Sequence, residues 1–531
     1  MADDSKVTSG KWYQGISQYQ WLVLTIASLG WVFDIYEGQI FVATMRDSMP
    51  DLLGALPDDD IVKQWNDRAF GFFLLGGAFG GVLFGMLSDR IGRAKTMVYT
   101  ILFYSVFTAL SAFSQEAWQL AALRFLVAMG VGGEWAVASA MVAEVMPARS
   151  RPVTSSIFHA SSVFGTLLAV GAIWVLVNYV PLADWGVDAW RAAFVLGILP
   201  ALLTLWIRWK LKEPESWKAA KDRESSDEKQ PTGRIGDLFS PQHLRNTVIG
   251  VTLATIGLVT FWGGHIYGKN ALLRLEQNKV LSLEKFDVSI PDREKDPNAW
   301  EQLVERQSKF LTSKIVGIED GNGTTFSKED KGVLSRAKTR LAGIVSEDRV
   351  IQKKAVGKTH NWMKADLFAK HNSAIKSAEM TSMALNTVGA GLGLVLFGGI
   401  STRIGRKGAF VLYHAMAFVM MLVLFMWLLP SNASQTVLMI CLPVFGFFTV
   451  GMHAGYAVYF PELYPTRLRG TGTGFCFNMG RLGTAAAFFG FGAMASPPSP
   501  EAKAMWLAPL FLVGVVVVLF AKETRDEALP E

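Results

Sequence analysis

Long apolar stretches alternate with short polar turns along most of the chain, and a bilayer core takes roughly 20 apolar residues per helical crossing. On that measure the sequence predicts about twelve membrane-spanning helices, near 21–44, 69–87, 96–113, 118–145, 153–180, 192–211, 247–268, 377–400, 409–429, 435–460, 471–493 and 504–521. Two polar segments interrupt the pattern. The first, 212–246, reads as a charged linker between two groups of six spans. The second, 269–376, lies between spans seven and eight and exceeds the length of an ordinary connection. Within it AWEQLVERQSKFL repeats apolar residues at helical spacing, and SKED at Ser327 to Asp330 reads as a capping box opening GVLSRAKTRLAGIV. Two or three amphipathic helices are expected there, the last running from about Asn361 into span eight. The fold class that follows is an all-α membrane protein. It has a six-helix bundle over 1–211, a linker over 212–246, and a second bundle over 247–531 interrupted by a helical insertion at 269–376.

The hydrophobic share of 51% and mean hydropathy of +0.28 fit a polytopic membrane protein better than a soluble one of 531 residues. The amino-terminal MADDSKVTSGKWYQGISQYQ lacks the pattern of a cleaved signal peptide, so span one is expected to remain. Arg90, Arg93, Lys95, Arg149, Arg151, Arg403, Arg406, Lys407, Arg467 and Arg469 all fall in turns on one side of this topology. The positive-inside rule assigns that side to the cytoplasm of a plasma (inner) membrane, with both termini there. Asp47, Asp51, Asp58, Asp59 and Asp60 fall on the other side, as do the sequons at Asn322 and Asn432. The net charge of +6 is spread over turns and insertion rather than gathered into one stripe with stacking aromatics, which argues against nucleic acid. Cys441 and Cys476 lie in spans, without metal-ligand spacing, and read as packing residues.

The chain is also duplicated. GGVLFGMLSDRIGR, from Gly80 to Arg93, returns as GLVLFGGISTRIGR from Gly393 to Arg406. AEVMPARSR, ending at Arg151, is echoed by PELYPTRLRG from Pro461 to Gly470, and LKEP at Leu211 to Pro214 by AKET at Ala521 to Thr524. Ordered repeats of this kind in a membrane protein indicate two related halves, an architecture typical of transporters rather than enzymes.

These phrases resemble the major facilitator superfamily. Gly85, Leu87, Asp89, Arg90, Gly92 and Arg93 match its loop signature between spans two and three, with Thr402 replacing Asp89 in the second copy. The Glu-x-x-Pro-x-Arg-x-Arg ends of spans four and ten, and Gly132 to Trp135 (Gly-Gly-Glu-Trp), are similar to the branch of sugar porters and proton-coupled organic-acid symporters. The resemblance implies that Asp89 touches the start of span eleven, where a carboxylate is favoured by free N–H groups and the helix dipole. It implies a gate in which Glu144, Arg149, Arg151 and Arg93 form one ion network and Glu462, Arg467, Arg469, Arg403 and Arg406 its counterpart, with topology alone as the alternative reason for these basic residues.

A charge at mid-membrane costs roughly 2.5–3.5 kcal/mol on insertion scales, so each one needs a partner or a pathway. Asp34 and Glu37 of span one share a helix face. Two neighbouring acids in a low dielectric favour keeping one protonated, the property a proton carrier needs, and Asp34 is the favoured site over a permanent ion pair. Glu134 reads equally as structural or as a coupling group. Arg124 and Arg481 can each pair with the span-one acids or bind an anionic substrate directly, with a buried structural pair as the alternative, and Arg124 is the better candidate partner of those acids. Arg481, with Asn478 nearly a turn before it, is the candidate clamp for an anionic substrate, since guanidinium matches carboxylate through parallel hydrogen bonds. Of the intramembrane histidines, His265 beside Trp262 and Tyr267 has ligand-pocket surroundings. No nucleotide, metal or cofactor is expected, and no Gly-x-x-x-x-Gly-Lys-Ser/Thr loop is present for ATP-driven pumping. The function expected is proton symport of a small organic acid. A sugar or polyol transporter is the alternative, and a transporter-like receptor whose insertion engages an extracytoplasmic partner is a further one.

Overall fold

A computed structural model of the chain describes residues 11–55, 60–182, 184–226, 231–321, 328–431, 433–492 and 500–531, and the regular elements among them are all helical. Spans one to four are α1 (Gln18–Leu53), α2 (Asp60–Ile91), α3 (Arg93–Ser111) and α4 (Ala117–Val145). Span five is broken at Ser161 into α5 (Arg151–Ala160) and α6 (Ser162–Tyr179). Span six is broken into α7 (Ala189–Leu196) and α8 (Ala201–Lys210). The linker carries α9 (Glu215–Ser226) and a 3-10 turn at Ile235–Phe239. Span seven is α10 (Leu244–Thr260), which widens into a π-turn at Phe261–His265 and closes with α11 (Ile266–Gly268).

The insertion forms α12 (Ala271–Leu283), α13 (Pro297–Gly321), α14 (Lys328–Ile344) and α15 (Arg349–Lys370). Spans eight and nine share α16 (Asn372–Leu422), which leaves helical geometry at Gly405 and ends in a π-turn at Val423–Leu428. Span ten is α17 (Gln435–Gly451) with α18 (His453–Glu462), span eleven is α19 (Arg469–Gly492), and span twelve is α20 (Pro500–Leu507) with α21 (Pro509–Leu519).

All twelve predicted spans therefore correspond to helices. Seven described stretches are long and apolar enough to cross a membrane on composition alone, and one of them, Asn372–Leu428, holds two spans. Spans one, three, six and eleven fall outside that set because they are broken or diluted by polar side chains, including Asp34, Glu37 and Arg481.

The duplicated phrase has a packing reason. Gly80 of α2 lies against the main chain at Met129 of α4, and its counterpart Gly393 lies in the same way against Phe447 of α17. A Cβ at either glycine would overlap that backbone, so close helix approach excludes any larger residue. The halves also meet through equivalent junctions, Gly85 against Gly470 and Gly398 against Pro152.

The chain divides into two compact units, one comprising Met1–Leu53, Asp60–Lys269 and Leu385–Glu531, the other Gly54–Asp59 and Asn270–Ala384. The second unit has its own apolar core of Trp300, Leu303, Leu311, Ala337, Ile344 and Val356. Asp348 caps α15 by accepting the N–H groups of Val350 and Ile351. Two expectations for the insertion change. It contains four helices among the described residues rather than two or three. The helix entering span eight starts at Asn372, after α15 ends at Lys370, rather than at about Asn361. The proposed cap Ser327, the sequons at Asn322 and Asn432, and Asp58 and Asp59 lie outside the described residues.

Candidate functional site

In the first unit, α1, α2, α5, α10, the Phe261–His265 π-turn and α19 surround a cavity of about 190 Å³. Its walls are mostly aromatic, including Trp31, Phe70, Phe73, Trp262 and Phe477, and Trp262 meets Phe70 edge to face at 5.0 Å. Two charged side chains reach it, Asp34 from α1 and Arg481 from α19. They act on each other electrostatically, and the Tyr104 hydroxyl also acts on Asp34, yet neither Asp34 oxygen nor Nη1 of Arg481 has a partner in good hydrogen-bond geometry among the described residues. Unmet buried polar atoms cost about 1–3 kcal/mol each, so a fold that keeps several in one place is holding them for something else. Gly77 makes room for the arginine: a side chain there would overlap the guanidinium.

Behind the cavity lie further buried charges. Glu134 of α4 accepts a hydrogen bond from Thr100 at 2.5 Å and packs against Gly30 of α1. Its charge acts on Asp34, as does that of Glu37. Glu37 and Arg124 act on each other electrostatically but form no ion pair, and both Glu37 oxygens and Nε and Nη1 of Arg124 lack a hydrogen-bond partner among the described residues. Arg124 is fully buried, hydrogen-bonded to Ser111 and set 4.6 Å from the Phe194 ring and 5.5 Å from the Phe41 ring. Asn478 donates to the carbonyls of Gly474 and Gly132 at 3.0 and 3.3 Å and fastens α19 to α4. Glu37, Glu134, Arg124 and Asn478 are thus neighbours of the cavity and not part of its wall. His265 is also off the wall. Its ring is stacked between Phe261 and Phe445, with Nδ1 on the Thr449 hydroxyl at 2.8 Å.

The basic turns gather at one end of the bundle. Asp89 accepts the N–H groups of Gly470 and Thr471 at 3.0 and 2.8 Å and the Thr471 hydroxyl at 2.6 Å, so its carboxylate sits on the first turn of α19. Arg93 pairs with Asp89 at 2.9 Å and with Glu144 at 2.7 Å, and donates to the Thr466 carbonyl at 2.9 Å. Glu144 also binds Arg469 at 2.9 Å, while in the second half Glu462 binds Arg406 at 2.9 Å.

The networks are therefore arranged differently from the expected half-by-half sets. Arg469 belongs with Glu144 across the halves, and Arg151 acts electrostatically on Glu462 in the mirrored sense. Arg151 and Arg469 each fold back to a main-chain carbonyl, those of Ala143 and Pro461. Arg467 binds Asp237 of the linker at 2.5 Å. Arg90, Arg149 and Arg403 are exposed.

The two junctions are unequal for a covalent reason. Pro152 stands where the first junction has Gly470, and proline has no N–H to offer an acid. Thr402, in place of Asp89, turns its hydroxyl to the Gly399 carbonyl.

Sequence reasoning missed two residues here, although it recorded the repeat that carries them. Glu213 of LKEP accepts the first three N–H groups of α3, from Arg93, Ala94 and Lys95, at 2.6, 3.2 and 3.2 Å. Glu523 of AKET does the same for Arg406 and Lys407 at 2.8 and 3.1 Å. The preceding Gly92 and Gly405 have φ of +112° and +83°, and a side chain at either would collide with the capping glutamate.

A family model described as sugar (and other) transporter matches residues 41–237 and 372–531. A probable 4-methylmuconolactone transporter of Cupriavidus pinatubonensis is 25% identical over 98% of this chain and 94% of its own length. The cis,cis-muconate transport protein of Acinetobacter baylyi is 24% identical over 86% and 84%. The solved proton:xylose symporter XylE shares the fold with a TM-score of 0.61 at 15% identity, covering 97% of this chain and 98% of that one. With two related helical halves and a family model that spans both, this chain belongs to the sugar (and other) transporter family, and it shares the fold of a solved symporter of the major facilitator superfamily.

Proposed function

We propose that the protein is a proton-coupled symporter of a small organic acid, working by alternating access between its halves. The observation that carries this reading is the placement of Asp34 and Arg481 in one aromatic cavity, as mutual counter-charges with unmet hydrogen-bonding atoms. An ionised Asp34 competes for Arg481. Protonation removes that competition and leaves the guanidinium to hold a substrate carboxylate; departure of the substrate returns Arg481 to Asp34 and favours release of the proton. Cargo and proton thus travel together because each makes room for the other. Relatives named for the transport of muconate and methylmuconolactone support the choice of an acid.

In this reading the basic end of the bundle faces the cytoplasm, and the contacts of Asp89, Glu144 and Arg469 close the cavity from that side. The insertion is extracytoplasmic and the linker at 212–246 joins the two bundles. The test is uptake into proteoliposomes of muconate, benzoate and xylose, with and without an imposed pH gradient. Accumulation of an acid that depends on the gradient is expected, and accumulation of xylose alone would reject the reading.

A further inference from the structure

Trp135, the last residue of the Gly-Gly-Glu-Trp run, takes no part in the coupling described above, yet it is fully buried and makes one directed contact. Its Nε1–H donates to Nδ1 of His159 at 3.1 Å. An indole has a hydrogen to give and no lone pair with which to accept one. Nδ1 of His159 is therefore the unprotonated nitrogen, and the hydrogen of the neutral ring sits on Nε2.

The surroundings hold that ring still. Trp31 donates to the main-chain carbonyl of His159 at 3.1 Å, and its ring lies 5.4 Å from the imidazole. The Trp135 ring stands edge-on to it at 89° and is itself stacked on Phe477 at 3.8 Å. His159 closes the last turn of α5, just before the break at Ser161, and lines the cavity. No hydrogen bond from its Nε2 to another protein group is present among the described residues. The cavity is also lined by Gln39, Ser162 and His453, and among its polar groups His159 is a neutral N–H donor whose tautomer and position are fixed.

The volume limits what that donor meets. About 190 Å³ is somewhat more than the ~150 Å³ of an engineered apolar cavity that takes up benzene. The flat walls of Phe70, Phe73, Trp262 and Phe477 suit a planar ring. A sugar would bring a hydroxyl to nearly every carbon and leave most of them facing these walls unpaired.

We propose that His159 is a specificity residue of this site. With Arg481 on the carboxylate, the Nε2–H donates to a second acceptor atom on a flat, single-ring carboxylate, and Trp135 is the positioning residue that fixes the donor. This rests on the organic-acid reading and narrows it to a substrate class.

The experiment is calorimetric titration of the purified full-length protein in detergent with benzoate, 4-hydroxybenzoate and pyridine-3-carboxylate, the last two carrying a second acceptor. In the native protein at least one of these two binds about tenfold tighter than benzoate, the worth of one well-placed hydrogen bond. His159→Phe abolishes that preference, lowering the affinity for the two-acceptor acids more than that for benzoate. His159→Gln keeps it, because the amide N–H takes the place of Nε2–H. Trp135→Phe weakens it, since the ring then loses the donor that selects its tautomer. A native protein that binds the acids without preference overturns the proposal, as does a preference that survives in His159→Phe. Equal loss for all three acids in both His159 variants shows a structural histidine and overturns it too. If the native protein binds none of these acids and muconate is not accumulated in proteoliposomes, the organic-acid reading fails, and this proposal with it.

Discussion

Glu144 of α4 and Arg469 of α19 lie 325 residues apart in the chain and meet as a fully buried ion pair of 2.9 Å. Glu144 also holds Arg93 at 2.7 Å, so a single carboxylate bridges one guanidinium from each half. Because Asp89 adds its own grip on α19 and Thr402 supplies no equivalent, the contact between halves is concentrated at one of two pseudo-equivalent junctions. In the proposed alternating-access mechanism this junction is the principal latch.

Removing the shared acid tests that latch. Breaking a buried ion pair by deleting one partner costs about 3–5 kcal/mol, because the remaining charges stay buried and unpaired. Glu144→Gln should therefore shift the protein toward the state in which the basic ends part. Spin labels at the exposed Arg90 and Arg403 positions, read by pulsed electron resonance, should report a longer separation. An unchanged distance distribution would reject the latch.

Asp34→Asn cannot give up or take a proton at that position. Accumulation driven by a pH gradient should be abolished in proteoliposomes, while exchange of preloaded substrate persists, because exchange needs only movement of the loaded carrier. Undiminished accumulation would rule out Asp34 as the coupling site.

Arg481→Lys keeps the charge but loses the two-pronged match to a carboxylate. Uptake of an anion should fall at least about tenfold, the cost of roughly one charge-assisted hydrogen bond, with a much smaller effect on a neutral solute. Gly77→Ala should mimic it by displacing the guanidinium that now fills the space. Equal effects on anion and neutral solute in transport assays would count against the clamp.

Glu213 and Glu523 should behave as a matched pair of helix caps. Removing a cap costs about 0.5–2 kcal/mol. Glu213→Ala should raise amide hydrogen exchange at Arg93, Ala94 and Lys95, and Glu523→Ala should do so at Arg406 and Lys407. Exchange that stays slow at these amides would show the caps to be dispensable.

In the insertion, His360 is buried beside Phe286, at a ring distance of 4.9 Å. Burial, assisted by Lys364, pushes its pKa below the ordinary 6.5, against the opposing influence of the Val288 carbonyl and Asp287. The folded insertion then binds fewer protons than the unfolded one once the pH drops below about 6.5, so its stability is full above that value and is lost as pH falls toward the lowered folded pKa. Hydrogen exchange of peptides from 297–370 should accelerate over that window, and His360→Phe should flatten the dependence. A native profile with no slope there would exclude His360 as its source.

Much of this protein was legible before any coordinates. Crossing a bilayer demands runs of apolar residues whose length is set by membrane thickness, so most of the spans and the long interruption after the seventh were written in local composition, while spans one, three, six and eleven are broken or diluted by polar side chains. The repeated GGVLFG and GLVLFG phrases gave the two halves, since each must bring a glycine against a neighbouring backbone. The expected contact of Asp89 with the start of span eleven is made in the structure, whereas Arg124 forms no ion pair with Asp34 or Glu37 among the described residues.

Tertiary structure alone decided which distant residues share a wall. His265 had the right neighbours in sequence, but a π-turn rotates it into an aromatic stack. His159 had none, yet it reaches the cavity because Trp31 and Trp135 from two other spans hold it there. The four helices of the insertion and the start of α16 at Asn372 depend on caps and a core formed between segments far apart in the chain. Burial in a membrane can be read from one segment at a time. A binding site cannot, because its chemistry depends on which faces of several helices turn toward one another.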